Sequence, residues 1–277
     1  LAMSWLEGET LASRLKRKSL SMGEVKAVGI CVAEALVAAH GAGVVHRDLK
    51  PSNLFLQDGD PARAVLIDFG IAALASSSTR LTTTGTVLGT AAYMAPEQAR
   101  GDGLVDGRCD LFSLGSVLFR ALTGRPPFDG GDVRVILAKL MFDEPPALPS
   151  HVPETLAALV RALLQKDPSD RPASARQVLD ELSRVVVTSP TEDATLISGT
   201  LADRRAALSA AEQQLSSVVL IELAPVHPER GESPPRLPER AELAAIRARA
   251  ATFGATLEPL AEGALIAVLR GSEDATD

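Results

Sequence analysis

Cysteine and histidine are scarce in this chain, with two and four copies among 277 residues. Cys31 and Cys109 lack metal-type spacing and sit in apolar helical patterns, so both are expected as buried thiols of a reducing compartment. The four histidines are scattered too widely to argue for a metal cluster. No apolar run approaches the roughly 20 residues a membrane span needs, and no signal-peptide pattern opens the sequence. A cytoplasmic chain with no membrane segment is expected. Basic excess is also missing. The formal net charge of -7 offers no footprint for nucleic acid or an anionic bilayer, both of which favour clustered Lys and Arg. The one basic cluster, RLKRKS at 14–19, reads as the solvated end of a helix. What is present is ordinary for a globular protein: 46% hydrophobic and 23% charged residues, in a length that suits one domain and a smaller second one.

Along the chain a helix-rich body encloses a short β section. Ser21 and Glu24 form an S-x-x-E capping box, and Val25, Val28, Val32, Leu36 and Ala39 follow at helical spacing until Gly41 and Gly43 stop the run. The short apolar runs NLFL and AVLI, separated by QDGDPAR, read as paired strands. A segment rich in Ser, Thr and Gly spans 75–90, and a long loop inside a compact domain is usually functional. Further helices are expected at 110–122, with Leu111, Leu114, Leu118 and Leu122 on one face, and at 132–140, 153–164 and 174–185. The composition of 188–200 marks a linker. Beyond it come a helix at 201–215, a strand SVVLIEL, a proline-rich loop at 225–238, a helix ending near Thr252 and a β pair ending in ALIAVL.

The chemistry concentrates in VVHRDLKPSNLFL, residues 44–56. Asp48, Lys50 and Asn53 form D-x-K-x-x-N between a helix and a strand, and Asp68-Phe69-Gly70 follows fifteen residues past Asn53. A carboxylate to orient a hydroxyl, a cation beside a transferring phosphoryl group and oxygen ligands for hard cations are what phosphoryl transfer requires. The first motif by itself could be any polar loop. The two in this order are far more specific.

Through HRDLKPSN, DFG and GTAAYMAPEQARG, in order and spacing, the sequence resembles the eukaryotic-like protein Ser/Thr kinases of bacteria. The resemblance implies an α+β chain: a mainly helical kinase large lobe with short β hairpins over 1–185, a linker and connecting helix at 186–214, and a small partial α/β domain at 215–277. It implies ATP and Mg²⁺ or Mn²⁺ as cofactors and Ser/Thr-containing protein substrates, with self-association and trans-autophosphorylation among its interactions. Asp48 would orient the substrate hydroxyl and Lys50 steady the γ-phosphate, while Asn53 and Asp68 hold the cation and Gly70 permits the turn after Phe69. Thr90 would contact Asp48 and Lys50. Met3, Ser4, Trp5 and Leu6 resemble the hinge facing adenine, and Phe55 would lie under the ring or simply in the core. Glu97 and Arg171 resemble a buried ion pair. Asp110 resembles the anchor of the loop containing His46, although by itself it reads as a helix N-terminal acid. Arg47 resembles the receiver of a phosphorylated loop, with Thr82 or Thr84 as the expected phosphosite.

Departures from the family pattern also carry expectations. The glycine-rich loop and the strand lysine paired with a helix glutamate are not found here, so a large lobe without its small lobe, inactive or weak by itself, is expected. The tail resembles the opening of a nucleotide-cyclase-like domain, with Glu222 and Glu262 near the positions of metal aspartates. The competing function is a non-catalytic docking scaffold.

Overall fold

A computed structural model describes residues 7–68, 90–102, 105–187, 216–222, 240–259 and 264–270. The chain divides into two compact units, Leu1–Val187 and Thr188–Asp277.

In the first unit a small sheet is built from β1 (Gly8–Thr10), β2 (Leu54–Gln57) and β3 (Ala64–Leu66). β2 lies in the middle, antiparallel to both neighbours, with Thr10 opposite Phe55 and Leu54 opposite Leu66. Side chains alternate along a strand, so Leu54 and Leu56 enter the core while Phe55 and Gln57 stay half-buried. The helices are α1 (Leu11–Arg17), α2 (Met22–Gly41), α3 (Pro96–Arg100), α4 (Arg108–Thr123), α5 (Val133–Phe142), α6 (Glu154–Leu163) and α7 (Ala175–Arg184). α2 starts at the capping box: Ser21 Oγ accepts from the Glu24 N–H and the Glu24 carboxylate accepts from the Ser21 N–H. Asp132 and Ser174 cap α5 and α7 in the same manner, each satisfying an N–H that the helix itself leaves unpaired.

α2 packs against β3, α4 and α7, and α4 also packs against α6. Every residue of α4 from Cys109 to Phe119 is buried. A helix apolar on one face belongs at a surface, but one enclosed all round is the core itself, and α4 takes that place through small residues on its remaining faces. Gly115 is the clearest case, since a Cβ there would come within 2.8 Å of Leu163 Cβ on α6.

α1 runs into the basic cluster expected as a helix end, and its start is set by the Thr10 hydroxyl accepting from the Ser13 N–H. Two expectations change. Within the basic cluster Arg14 is buried rather than solvated, paired to Glu24 at 2.9 Å. Cys31 is half-buried, its thiol donating to the Ala62 carbonyl at 3.2 Å. Cys109 is fully enclosed, and burial together with neighbouring Asp110 pushes its thiol far up. It is therefore inert at neutral pH.

The second unit contains β4 (Ser216–Glu222), α8 (Arg240–Ala251), β5 (Ala255–Pro259) and β6 (Ala264–Arg270). β6 lies between β4 and β5, antiparallel to both. Leu257, Leu265 and Ala267 form its core, with Leu243 and Ala250 of α8 packed on them. The expected linker at 188–200, helix at 201–215 and loop at 225–238 lie outside the described residues. Among those described, no helix is long and apolar enough to cross a membrane.

Candidate active site

The loop between α2 and β2 is held from beneath by one carboxylate. Asp110, in the first turn of α4, is completely buried. Its Oδ2 accepts the His46 N–H and its Oδ1 the Arg47 N–H, both at 2.8 Å. His40, from the last turn of α2, reaches Asp110 Oδ2 with Nε2 at 2.8 Å. Gly107 leaves the space for that ring, since a Cβ there would stand 2.7 Å from it. Arg47 has φ 64°, a left-handed conformation costly for a side chain with a Cβ. Its carbonyl is secured by Gln98 Nε2 at 2.9 Å and its N–H by Asp110. The chain is thereby bent so that Asp48 follows on the open side of the loop.

His46 joins the layers of the site. Its Nδ1 accepts the Asp48 N–H at 3.2 Å, which leaves the proton on Nε2, 3.2 Å from the Ile67 carbonyl. The Ile67 N–H in turn donates to the Asn53 carbonyl at 2.9 Å. Two bonds to neighbouring peptide groups thus tie the residue before Asp68 to the loop that carries Asp48 and Asn53. Asp68 itself is exposed, with φ 56°.

Asp48, Lys50, Asn53 and Thr90 form one hydrogen-bonded group. Asn53 is buried, and its Nδ2 donates to the Asp48 carbonyl at 2.8 Å and to Asp48 Oδ2 at 3.0 Å. Lys50 Nζ lies 2.9 Å from Asp48 Oδ2 and donates to Thr90 Oγ1 at 3.1 Å. Both side chains are part-exposed, 20% for Lys50 and 33% for Asp48. These bonds commit one oxygen of Asp48 and leave Oδ1 without a bond to any described residue. Asn53 uses its amide nitrogen internally and keeps Oδ1, which has only a weak approach from Ser52 Oγ at 3.4 Å. That amide oxygen and the exposed Asp68 carboxylate are oxygen donors of the type that could hold Mg²⁺.

A second buried group supports α3. Arg171 and Glu97 meet in a bidentate pair, 2.6 Å and 2.8 Å. The remaining guanidinium hydrogens go to the carbonyls of Gln165, Arg108 and Lys166. Arg171 also lies 4.9 Å over the Phe112 ring, Phe112 stacks on Phe128, and Lys166 Nζ sits 3.7 Å over Phe128. Lys166 donates to the Leu140 carbonyl at the end of α5 at 2.7 Å. Burial lowers its pKa to about 7 against the pull of Glu144 and Asp143, with Arg171 adding a smaller push in the same direction. Below about pH 7 the amine is charged in both folded and unfolded chains, and the folded state bears the full cost of desolvation. Between about 7 and its ordinary value of 10.5 the unfolded chain binds more protons, so stability rises with pH. The slope is at most about 1.4 kcal/mol per pH unit. Urea unfolding at pH 6.5, 8 and 9.5 should show this rise in the native chain and a flatter profile in Lys166→Met. Equal slopes would mean that Lys166 titrates normally.

Asp48 thus bonds both Asn53 and Lys50, Lys50 bonds Thr90, Asp68 directly follows Ile67, whose N–H donates to the Asn53 carbonyl, and Asp110 holds the loop. Arg47 extends Nη2 toward the Val105 carbonyl at 3.5 Å. Phe55 is half-buried on the open face of β2. Met3, Ser4, Trp5, Leu6, Phe69, Gly70, Thr82 and Thr84 lie outside the described residues, as does Glu262. His40, Gln98 and Lys166 were not singled out from the sequence. Each acts on a backbone group or carboxylate far along the chain, and no local pattern signals such a contact. A cleft of about 420 Å³ beside the Asp110 anchor, lined by Val37, Val45, Leu111 and Arg176 among others, includes none of the four grouped residues.

A helical body carrying a rigid loop of one carboxylate, one lysine and one amide beside a second carboxylate has the make-up of a phosphoryl-transfer centre. The protein kinase domain model matches residues 1–182, and the chain belongs to the protein kinase family. It is similar to the serine/threonine-protein kinase pkn3 of Myxococcus xanthus, 38% identical over 196 residues, which cover 67% of this chain and 36% of that protein. Pkn1 of the same organism is 42% identical over 179 residues, 63% of this chain and 26% of that protein. PknB of Mycobacterium tuberculosis is 37% identical over 223 residues, 78% of this chain and 34% of that protein. The chain therefore spans about a quarter to a third of the length of these relatives.

Proposed function

We propose that this chain carries the catalytic large lobe of a cytoplasmic protein serine/threonine kinase, with residues 1–185 as that lobe, 186–214 as linker and 215–277 as a separate module. The observation that supports this most directly is the bonded group of Asp48, Lys50, Asn53 and Thr90. Asp48 Oδ1 is the oxygen left to accept a hydrogen bond from a Ser or Thr hydroxyl. As the hydroxyl oxygen bonds to the γ-phosphorus of ATP and the bond to the β-γ bridging oxygen breaks, ADP departs and the hydroxyl proton passes toward Asp48. Lys50 holds one N–H on Asp48 and one on Thr90, which leaves a third for a phosphoryl oxygen. Asn53 Oδ1 and Asp68 would hold Mg²⁺ or Mn²⁺, which would neutralise phosphate charge. Met3 to Leu6 and Phe55 would bound the adenine, and phosphate on Thr82 or Thr84 would be received by Arg47.

Glycine-rich cover for the phosphates and the strand lysine are needed as well, and neither is found in these 277 residues. The test is transfer from γ-labelled ATP to a Ser/Thr protein, using the chain alone and the chain preceded by the small lobe of a serine/threonine kinase. Transfer by the joined form, absent in its Asp48→Asn variant and weak or absent in the chain alone, is the expected result. A joined form that folds and binds ATP yet transfers nothing would favour a docking scaffold. The β-α-β-β unit with its last strand central supports reading 215–277 as the beginning of a cyclase-like module.

A further inference from the structure

Arg120, in the last turn of α4, has no countercharge among the described residues. Its Nη1 donates to the Tyr93 hydroxyl. Its Nε is buried and has no hydrogen-bond partner, and Nη2 has no bond to a described residue. No carboxylate of a described residue lies within ion-pair distance. Asp129 is near enough to act on the Tyr93 hydroxyl but forms no ion pair with Arg120. The two buried arginines differ: Arg14 is paired with Glu24, and Arg171 with Glu97. Arg120 is half-buried, and holding a guanidinium partly out of water with no anion among the described residues carries a cost that an incoming negative group would offset.

Its position gives that site a use. Tyr93 is fixed on α4 at both ends, its carbonyl by Ser113 Oγ at 2.8 Å and its hydroxyl by Arg120. The Tyr93 N–H closes a turn onto the Thr90 carbonyl at 3.1 Å. Thr90 in turn bonds Lys50, which bonds Asp48. One turn of chain therefore separates the residue that anchors Arg120 from the group that would hold the acceptor hydroxyl. A peptide whose hydroxyl reached Asp48 would have this turn as a neighbour.

We infer that Arg120 selects substrates bearing an anionic side chain close to the acceptor Ser or Thr. This rests on the kinase reading for its setting, though peptide binding can be measured without catalysis. The Arg120 Nη2, without a bond to a described residue, can donate to a carboxylate or phosphate oxygen, so Asp, Glu and phosphoserine share the chemistry.

The experiment is fluorescence anisotropy at low salt with the 277-residue chain. The probes are labelled peptides with a central Ser flanked by Asp and Glu, by phosphoserine, by Gln, or by Arg and Lys. Acidic peptides should bind about five- to tenfold more tightly than the Gln set, with basic ones weakest. Arg120→Gln should abolish the difference, Arg120→Glu should invert it, and Arg120→Lys should restore part of it. If Arg120→Glu fails to fold, as thermal melting will report, Arg120→Gln decides. Equal binding of all sets, or an acidic preference that survives in Arg120→Gln, overturns the inference. Tighter binding of phosphoserine than of Asp and Glu identifies an already phosphorylated substrate as the source of the anion. Transfer assays with the joined form separate the two readings. Transfer without charge preference removes the role of Arg120 and leaves the kinase, whereas charge-selective binding without transfer removes the kinase and leaves an acidic-peptide site.

Discussion

Asp110→Ala is expected to destabilise the first unit by about 3–5 kcal/mol and to stop any phosphoryl transfer. The buried carboxylate accepts two backbone N–H groups and the His40 ring. Each buried donor left without a partner costs about 1–3 kcal/mol, and the total is large against the roughly 5–15 kcal/mol that holds a domain together. The loss is also local. Without Asp110, the left-handed conformation of Arg47 is held by Gln98 alone, and Asp48 no longer has a fixed direction. Asp110→Asn keeps the volume but can accept at one atom only, and its amide hydrogens face the N–H donors of the loop. It should therefore recover less than half of the loss. Urea unfolding supplies the global value, and amide hydrogen exchange at His46 and Arg47 supplies the local one. A loss below about 1 kcal/mol with both amides still protected would mean that another group anchors the loop.

Arg171→Met is expected to cost about 3–5 kcal/mol, because it leaves the Glu97 carboxylate buried without its cation. All the guanidinium hydrogens are in use, two on Glu97 and the others on three carbonyls, so Arg171→Lys cannot replace the fork. Glu97→Leu strands the charge on the other partner. The double variant removes both charges, and its destabilisation should fall short of the sum of the two singles by more than about 1 kcal/mol. A double-mutant cycle in urea reads this directly. Additive losses would show that the two side chains act through separate contacts, with the pair itself adding nothing.

Much of the helical skeleton was legible because its signals are local. The Ser21–Glu24 box and the apolar spacing of α2 and α4 each rest on residues three or four apart. β2 and β3 were visible as short apolar runs on either side of a turn-rich segment. What escaped was short or depended on distant partners: the start of α1, the five residues of α3, and the burial of Arg14 against Glu24. α4 was read as having one apolar face, yet it is enclosed on every side. Sequence pattern reports which residues are apolar, and it does not count how many neighbours will surround them.

The same division runs through the site. The order and spacing of Asp48, Lys50, Asn53 and Asp68 point to phosphoryl transfer, since few other tasks need that set of groups in adjacent loops. The sequence by itself determined the family and the order of the longer helices, and raised phosphoryl transfer as the expectation. The tertiary structure decided the states of the individual groups. Asp110 faces a loop 64 residues away rather than its own helix end, Lys166 lies against Phe128 with a pKa near 7, and Arg120 has a tyrosine hydroxyl in place of an acid. Charge and hydrogen bonding depend on what lies within a few ångströms, and in a folded chain those neighbours come from residues that the linear order keeps far apart.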